Sequence, residues 1–183
     1  SMTVLKDLMQ GLGSENIDCR TDGSNFDTSS RAGYLFNSTI AGIEKADAIL
    51  MIGTNPRHEA TLINARIRKT WLEKRLPIGV IGPQLDFTYP YQHLGQTTED
   101  LEKLTKARTG FAKILKDAER PMIIAGSQLF TGEDAMAIQQ LLHGFSEKIG
   151  VVKEDWNGYN VLHNAASRVG GLEIEFTPGP NGK

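Results

Sequence analysis

The sequence is most regular around Ala48-Ile49-Leu50-Met51-Ile52-Gly53-Thr54-Asn55-Pro56. Its first five residues form a continuous apolar run, which is typical of a strand buried on both faces of a parallel sheet. Gly53 ends the run, and Asn55 and Pro56 suit the N-cap and the first turn of a helix. Helical spacing continues to about Arg75, with an apolar stripe made of Ala60, Ile63, Ile67 and Trp71. The segment therefore predicts a strand, a short turn and a helix.

The same alternation recurs toward the C-terminus. Two further apolar runs, residues 78–82 and 121–126, predict buried strands, with an aromatic loop over residues 83–96. Thr97-x-x-Asp100 is a loose capping-box signal for a helix that runs to about Asp117. Thr131-x-x-Asp134 is expected to cap another helix, which Gly150 ends and whose apolar face consists of Ala135, Ile138, Leu142, Phe145 and Ile149. A final helix is expected from Asn157 to Val169.

These elements predict an α/β fold, with a Rossmann-like parallel sheet of at least three strands and helices on both faces. We expect the α/β core to span residues 48–170. Residues 3–47 are expected to supply an N-terminal helix, a polar loop and a lead-in to the first strand. Residues 1–2 (Ser-Met) look like a tag-cleavage scar, and residues 171–183 are expected to form the C-terminal loop of a truncated segment.

Composition excludes several function classes. The chain has 183 residues, a net charge of -2 and one cysteine, Cys19. No apolar run approaches the roughly 20 residues of a membrane-spanning helix, and no basic cluster predicts nucleic-acid binding. One cysteine excludes an intrachain disulfide, and it cannot by itself ligate a zinc ion or an iron–sulfur cluster. Cys19 lies beside Arg20 in a polar loop, where it is either a reactive thiol or an incidental surface residue.

The turn formed by Gly53, Thr54, Asn55 and Pro56 is the candidate ligand site. A loop between the carboxyl end of a parallel strand and a helix N-terminus presents free N–H groups that favour a phosphate. The glycine fingerprints of dinucleotide-binding and P-loop proteins are both missing, so an ordinary turn with an Asn55 cap explains the same residues. On that reading, Asn55→Ala is expected to cost about 0.5–2 kcal/mol of stability. Arg57 and His58 either favour an anion or lie on a solvated surface.

The remaining polar candidates are weaker. The four histidines, His58, His93, His143 and His163, lack metal-ligand spacing. Gly126-Ser127 follows a strand, but the nucleophile-elbow motif G-x-S-x-G is absent. From the residues alone, the sequence names no reaction.

A longer stretch carries a resemblance to a known family. Residues 34–71, which include Tyr34-Leu35-Phe36-Asn37-Ser38-Thr39-Ile40-Ala41-Gly42-Ile43 and Asn64-Ala65-Arg66-Ile67-Arg68-Lys69-Thr70-Trp71, closely resemble the large iron–sulfur subunit of respiratory complex I, the G subunit of NADH-quinone oxidoreductase, in its alphaproteobacterial or mitochondrial form. Residues 77–95 and residues 156–167 follow the same family in order.

The resemblance implies a segment of the molybdopterin oxidoreductase-like domain of that large subunit. The family's 2Fe-2S and 4Fe-4S clusters are expected upstream of this segment, which would carry no cofactor itself. In related molybdenum enzymes, a Gly-x-Asn-Pro loop holds the phosphates of the pterin dinucleotide, and Gly53, Asn55 and Pro56 match it. Those enzymes also have an Asp-Pro-Arg-like segment after the next strand, whereas this chain has Gly82-Pro83-Gln84.

The resemblance therefore implies a non-catalytic structural segment in the peripheral arm of complex I. The complex as a whole transfers electrons from NADH to quinone. The segment would have other peripheral-arm subunits as its partners, with no nucleic acid and no direct membrane insertion. It would lie on the cytoplasmic face of a bacterial inner membrane or on the matrix side of a mitochondrial one. The alternative is a fragment of an oxidoreductase that binds a molybdopterin-guanine dinucleotide.

Overall fold

A computed structural model of the chain describes residues 1–179. Within them lie seven strands: β1 (Ala48–Ile52), β2 (Ile78–Ile81), β3 (Gln92–Gly95), β4 (Pro121–Gly126), β5 (Val152–Lys153), β6 (Trp156–Asn157) and β7 (Tyr159–Leu162). The same residues form eight α-helices: α1 (Met2–Gly11), α2 (Thr39–Gly42), α3 (Pro56–Glu59), α4 (Thr61–Lys74), α5 (Thr98–Lys106), α6 (Gly110–Asp117), α7 (Ala135–Ile149) and α8 (Arg168–Glu173).

The main sheet has five parallel strands in the order β3-β2-β1-β4-β7. Strand β1 lies at its centre, where Ile49 pairs with Ile78 on one side and Met122 on the other. Strands β5 and β6 form a separate antiparallel pair. The α/β class and the parallel sheet that the sequence predicts are confirmed.

Alternation along β1 divides the interior into two cores, as expected for a sheet covered on both faces. Leu50 and Ile52 pack into one core with the apolar faces of α5, α6 and α7. Ile49 and Met51 pack into the other core with Ile63 and Ile67 of α4 and other buried residues. The predicted apolar face of α7 is fully buried, and that helix ends at Gly150 as predicted.

Several predicted elements differ in extent. The helix expected over residues 56–75 is interrupted at Ala60, and the helix expected to reach Asp117 divides into α5 and α6. Extended backbone at Ala107 and Thr109 redirects the chain, so that both helices bury their apolar faces in the same core. The aromatic loop over residues 83–96 contains the short strand β3, which hydrogen-bonds to β2.

The prediction of a helix from Asn157 to Val169 is wrong. Residues 159–162 form β7, which completes the sheet beside β4. The Asn160 amide supports the strand, because it donates to the carbonyl of Ile123 in β4 and to that of Gly158 just before β7. Helix α8 begins only at Arg168 and continues past the expected core boundary at residue 170. Residues 180–183 of the expected C-terminal loop lie outside the described residues.

The N-terminal region contains the predicted helix and polar loop. Apolar side chains of α1, including Leu5 and Leu8, are exposed rather than packed on the core. The loop that follows is held by two buried polar side chains. Gln139 bonds to the backbone of Asn25 and Asp27, and Arg168 pairs with Asp22 at 2.9 Å.

Candidate functional site

The strand order places the predicted turn at a crevice of the sheet. Strands β2 and β3 lie on one side of β1, and β4 and β7 lie on the other, so the strand order reverses between β1 and β4. In open parallel sheets, ligands bind outside the carboxyl ends of the strands at such a reversal. The turn Gly53–Pro56 follows β1 there, and Ser127 follows β4. We call this region the β1–β4 crevice.

The backbones of the two strands' ends contact each other directly in the crevice. A Cβ atom added at Gly126 would lie 2.1 Å from the carbonyl oxygen of Gly53. Gly53 itself has φ 57°, a left-handed conformation that glycine adopts without strain. Since real Cβ atoms do not approach so closely, only glycine fits at position 126.

Leu129 fills the space above Gly53. It belongs to a 3-10 turn, Ser127–Phe130, that follows β4. A Cβ atom at Gly53 would lie 2.7 Å from the Cδ2 atom of Leu129, so the leucine side chain rests on the glycine. This face of the turn, which a ligand would need to approach closely, is therefore covered by the protein's own apolar side chain.

The polar donors of the turn are also engaged by the protein. The hydroxyl of Thr54 donates to Oε2 of Glu59 at 2.7 Å, and the backbone N–H of Asn55 donates to the same oxygen at 3.1 Å. A carboxylate therefore occupies two donors that the turn could otherwise offer to a phosphate at this strand–helix junction. The residues present do not fit a dinucleotide phosphate in this arrangement.

The predicted side-chain cap by Asn55 is wrong. Asn55 occupies the N-cap position of α3, but its side chain makes no capping hydrogen bond, and its Oδ1 atom is buried without a partner among the described residues. Glu59, one turn into the helix, makes a different contact: it accepts from the N–H of Asn55 itself and from the Thr54 hydroxyl. By contrast, the capping box predicted at Thr97 and Asp100 is confirmed in both directions. The predicted cap at Thr131 is also wrong, because its hydroxyl donates to the carbonyl of Gln128.

Charges near the turn are paired. Arg57 donates to Oδ2 of Asp86 at a distance of 2.7 Å, and Asp86 lies in the loop after β2. Gly82, in the segment that departs from the family pattern, accepts a 2.8 Å hydrogen bond from Nε2 of His93. His58 is exposed. The Arg57–Asp86 pair ties the turn to the loop after β2 and gives Arg57 a carboxylate partner.

Two further polar groups lie at the same edge of the sheet. Ser127 is 1% exposed and His163 follows β7 directly; within residues 1–179, neither Oγ of Ser127 nor Nδ1 of His163 has a hydrogen-bond partner. Burial lowers the pKa of His163, an effect partly opposed by its 2.6 Å hydrogen bond to the carbonyl of Tyr34. The histidine is therefore held neutral near pH 7, and the buried serine lacks the exposure of a nucleophile.

The lone thiol is poorly suited to chemistry. Burial raises the pKa of the Cys19 thiol, so the reactive thiolate is disfavoured. Across residues 1–179, no group of three or more His, Cys, Asp or Glu side chains could hold a metal ion. Nor does any helix in that range have the length and apolarity needed to cross a membrane.

Sequence reasoning missed the residues that determine the state of the crevice. Glu59 approaches the turn from the helix that follows it. Leu129 approaches from the 3-10 turn after β4, and Gly126 from the end of β4 itself. Only Glu59 had a local signal, because a carboxylate near a helix start commonly accepts from free N–H groups. The contacts of Leu129 and Gly126 depend on the pairing of β1 with β4, which residue spacing does not specify.

Comparison with known proteins gives consistent matches. The model of the molybdopterin oxidoreductase family matches residues 1–183. The chain is 46% identical to the mitochondrial NADH-ubiquinone oxidoreductase 78 kDa subunit of Neurospora crassa, over 97% of this chain and 24% of that protein. It is 40% identical to the mitochondrial NADH dehydrogenase (ubiquinone) iron-sulfur protein 1 of Solanum tuberosum, with coverage of 97% and 24%.

A bacterial protein gives a similar match. The chain is 42% identical to the G subunit of NADH-quinone oxidoreductase from Rickettsia conorii, over 96% of this chain and 26% of that protein. The resemblance predicted from residues 34–71 is confirmed by these three relatives. The chain spans about a quarter of the length of each of them.

Proposed function

The chain belongs to the molybdopterin oxidoreductase family, and we propose that within it the chain is a non-catalytic structural segment of the G subunit of NADH-quinone oxidoreductase. The parent complex would be respiratory complex I, which passes electrons from NADH to quinone. This segment would carry none of that chemistry and would supply packing surface in the peripheral arm. Its relatives are named as subunits or iron–sulfur proteins of NADH dehydrogenases, which supports this assignment.

One observation carries the structural role. The Glu59 carboxylate accepts from both Thr54 and Asn55, at the point where a family member would offer donors to a phosphate. Leu129 covers Gly53 from the other side of the same turn. A phosphate would have to displace a negative charge already bound to those donors and move a packed leucine. We therefore propose that Gly53, Thr54, Asn55 and Pro56 are a vestigial dinucleotide loop that now serves folding.

The wider setting is part of the same proposal. The partners would be other subunits of the peripheral arm, on the cytoplasmic side of a bacterial inner membrane or the matrix side of a mitochondrial one. Iron–sulfur clusters would be carried by the parent subunit outside this segment. The single cysteine of the chain supports that division, since a cluster needs several ligands.

Metal and pterin analysis tests the proposal. The complex containing the full-length subunit is purified, and molybdenum and pterin are measured per complex. We expect neither above background. Molybdenum or pterin at about one per complex would identify a dinucleotide-binding oxidoreductase and overturn the structural role. A Glu59→Gln variant of the complex is measured in parallel: it should keep NADH-to-quinone activity once assembled, whereas a selective loss of activity would give the loop a chemical role.

A further inference from the structure

A cavity of about 380 Å³ lies between α6 and α7, away from the β1–β4 crevice. We call it the α6–α7 cleft. Its apolar lining includes Ala112 of α6 and Phe145 and Ile149 of α7. The volume lies within the range of about 300–1,000 Å³ that ligand pockets occupy. A single inorganic anion, comparable to a few waters of about 30 Å³ each, would leave most of it unfilled.

The cleft is lined by four cationic residues. Two of them are engaged by the protein: Lys113 pairs with Asp117 at 2.5 Å, and Lys148 donates to the carbonyl of Thr105 at 2.5 Å. The other two, Arg108 and Lys116, are exposed and make no ion pair or hydrogen bond with another residue in the described range. Two cationic side chains at one cavity are therefore left without a counter-charge.

This charge is local. The whole chain has a net charge of -2, so the cleft is positive within a weakly acidic protein. Like charges brought together around one cavity repel each other, and a ligand of opposite charge relieves that repulsion. The matching ligand therefore has carboxylates for Arg108 and Lys116 and an apolar group for the surface formed by Phe145 and Ile149.

We propose that the α6–α7 cleft is the docking surface for an acidic segment of a neighbouring polypeptide. Its carboxylates pair with Arg108 and Lys116, and one of its apolar side chains enters between α6 and α7. The inference rests on the proposed function, since a structural segment of a larger assembly needs surfaces that contact other chains. A polypeptide segment satisfies both the charge and the volume of the cleft, which a small inorganic anion does not.

Carbodiimide cross-linking of the purified complex tests the docking surface. The reagent condenses a lysine amine with a carboxylate held against it, and mass spectrometry identifies the joined residues. We expect Lys116 to be linked to an aspartate or glutamate of another polypeptide. Lys45, which is exposed on the other side of the fold and outside the cleft, is the control and should remain unlinked. A Lys116 that is unlinked, linked only within its own chain, or linked to a second copy of this chain overturns the proposal.

Charge reversal supplies an independent measurement. The double variant Arg108→Glu/Lys116→Glu is expressed in the full-length subunit, and its incorporation into the complex is compared with that of Arg68→Glu. Arg68 is an exposed arginine on α4, at the opposite face of the sheet. We expect about a tenfold loss of incorporation for the double variant, the scale of effect that reversing interface charges produces. Normal incorporation, or an equal loss with Arg68→Glu, overturns the docking surface.

The two proposals fail in different ways. Molybdenum or pterin in the purified complex would overturn the structural role and leave the cross-link of Lys116 unaffected. An unlinked Lys116 with normal assembly of the double variant would overturn the docking surface while the metal analysis still supports the structural role.

Discussion

The β1–β4 crevice and the α6–α7 cleft are built in opposite ways. In the crevice, Glu59 accepts from the polar donors of the turn, and Leu129 covers its glycine. In the cleft, a cavity of about 380 Å³ is open, and Arg108 and Lys116 have no partner among the described residues. The crevice has the sequence pattern of a binding loop, whereas the cleft has no motif at all.

A sequence motif and an available binding site are therefore separate properties of a protein. The turn Gly53–Pro56 has the sequence pattern of a phosphate loop, and strand β1 passes directly into a helix there. Whether the turn remains available depends on Glu59 in the helix that follows it and on Leu129 after β4. The cleft gains its apolar lining and its positive charge only when the connector before α6 and the last turn of α7 come together.

The largest loss of stability is expected where the two backbones of the crevice lie closest together. Gly126→Ala would place a Cβ atom 2.1 Å from the carbonyl oxygen of Gly53. The backbone must shift, so we expect a loss of about 3 kcal/mol, measured by urea unfolding. Gly144→Ala is the matched control, because a Cβ there meets nothing within 4 Å and the helix α7 should gain up to about 1 kcal/mol. Equal stabilities for the two variants would show that the crevice is not closed in this way.

The second-largest loss of stability distinguishes the role of Glu59 from that of Asn55. Glu59→Ala leaves the Thr54 hydroxyl and the Asn55 N–H without their acceptor, and we expect a loss of about 1–2 kcal/mol in chemical denaturation. Asn55→Ala, for which the sequence predicts a loss of about 0.5–2 kcal/mol, should instead change stability by less than about 0.5 kcal/mol, because its side chain makes no cap. The reverse ranking of these two variants would restore Asn55 as the cap.

A smaller loss of stability is expected when the pH is lowered, and it arises at the same edge of the sheet. Burial lowers the pKa of His163 from its ordinary 6.5, so the folded chain binds fewer protons than the unfolded chain below that pH. The contribution is therefore fully present above pH 6.5 and is lost as the pH falls below it through the lowered pKa of the folded chain. Unfolding free energies measured across this range should decline, and His163→Gln should remove the decline. His58→Gln, at an exposed position, should leave it unchanged.

The smallest effect is expected in the cleft. Arg108→Gln/Lys116→Gln removes two positive charges that have no partner in the described part of the chain. Thermal unfolding should show a change within about 0.5 kcal/mol, with a slight gain at low salt, since repulsion is relieved. A loss above about 1 kcal/mol, in the range of a lost hydrogen bond, would mean that these residues support the fold, as Glu59 does in the crevice.

Local residue patterns determined much of this protein. Continuous apolar runs at residues 48–52 and 121–126 specified strands buried on both faces, and the spacing of Ile138, Leu142 and Phe145 specified the buried face of α7. The pairing of Thr97 with Asp100 specified a helix start, because both groups lie within one turn. In each case the signal and the structure that it predicts involve neighbouring residues.

The tertiary structure decided what neighbouring residues could not. The sequence predicts a helix where β7 lies; a short apolar segment suits either structure, and the pairing with β4 settles the choice. Asn55 suits an N-cap by its position, but in the folded chain its Oδ1 atom is buried and makes no capping hydrogen bond among the described residues. The strand order, the packing of Leu129 on Gly53 and the α6–α7 cleft all depend on contacts between distant residues. Such contacts reflect the packing of the whole chain, which residue spacing along the sequence does not encode.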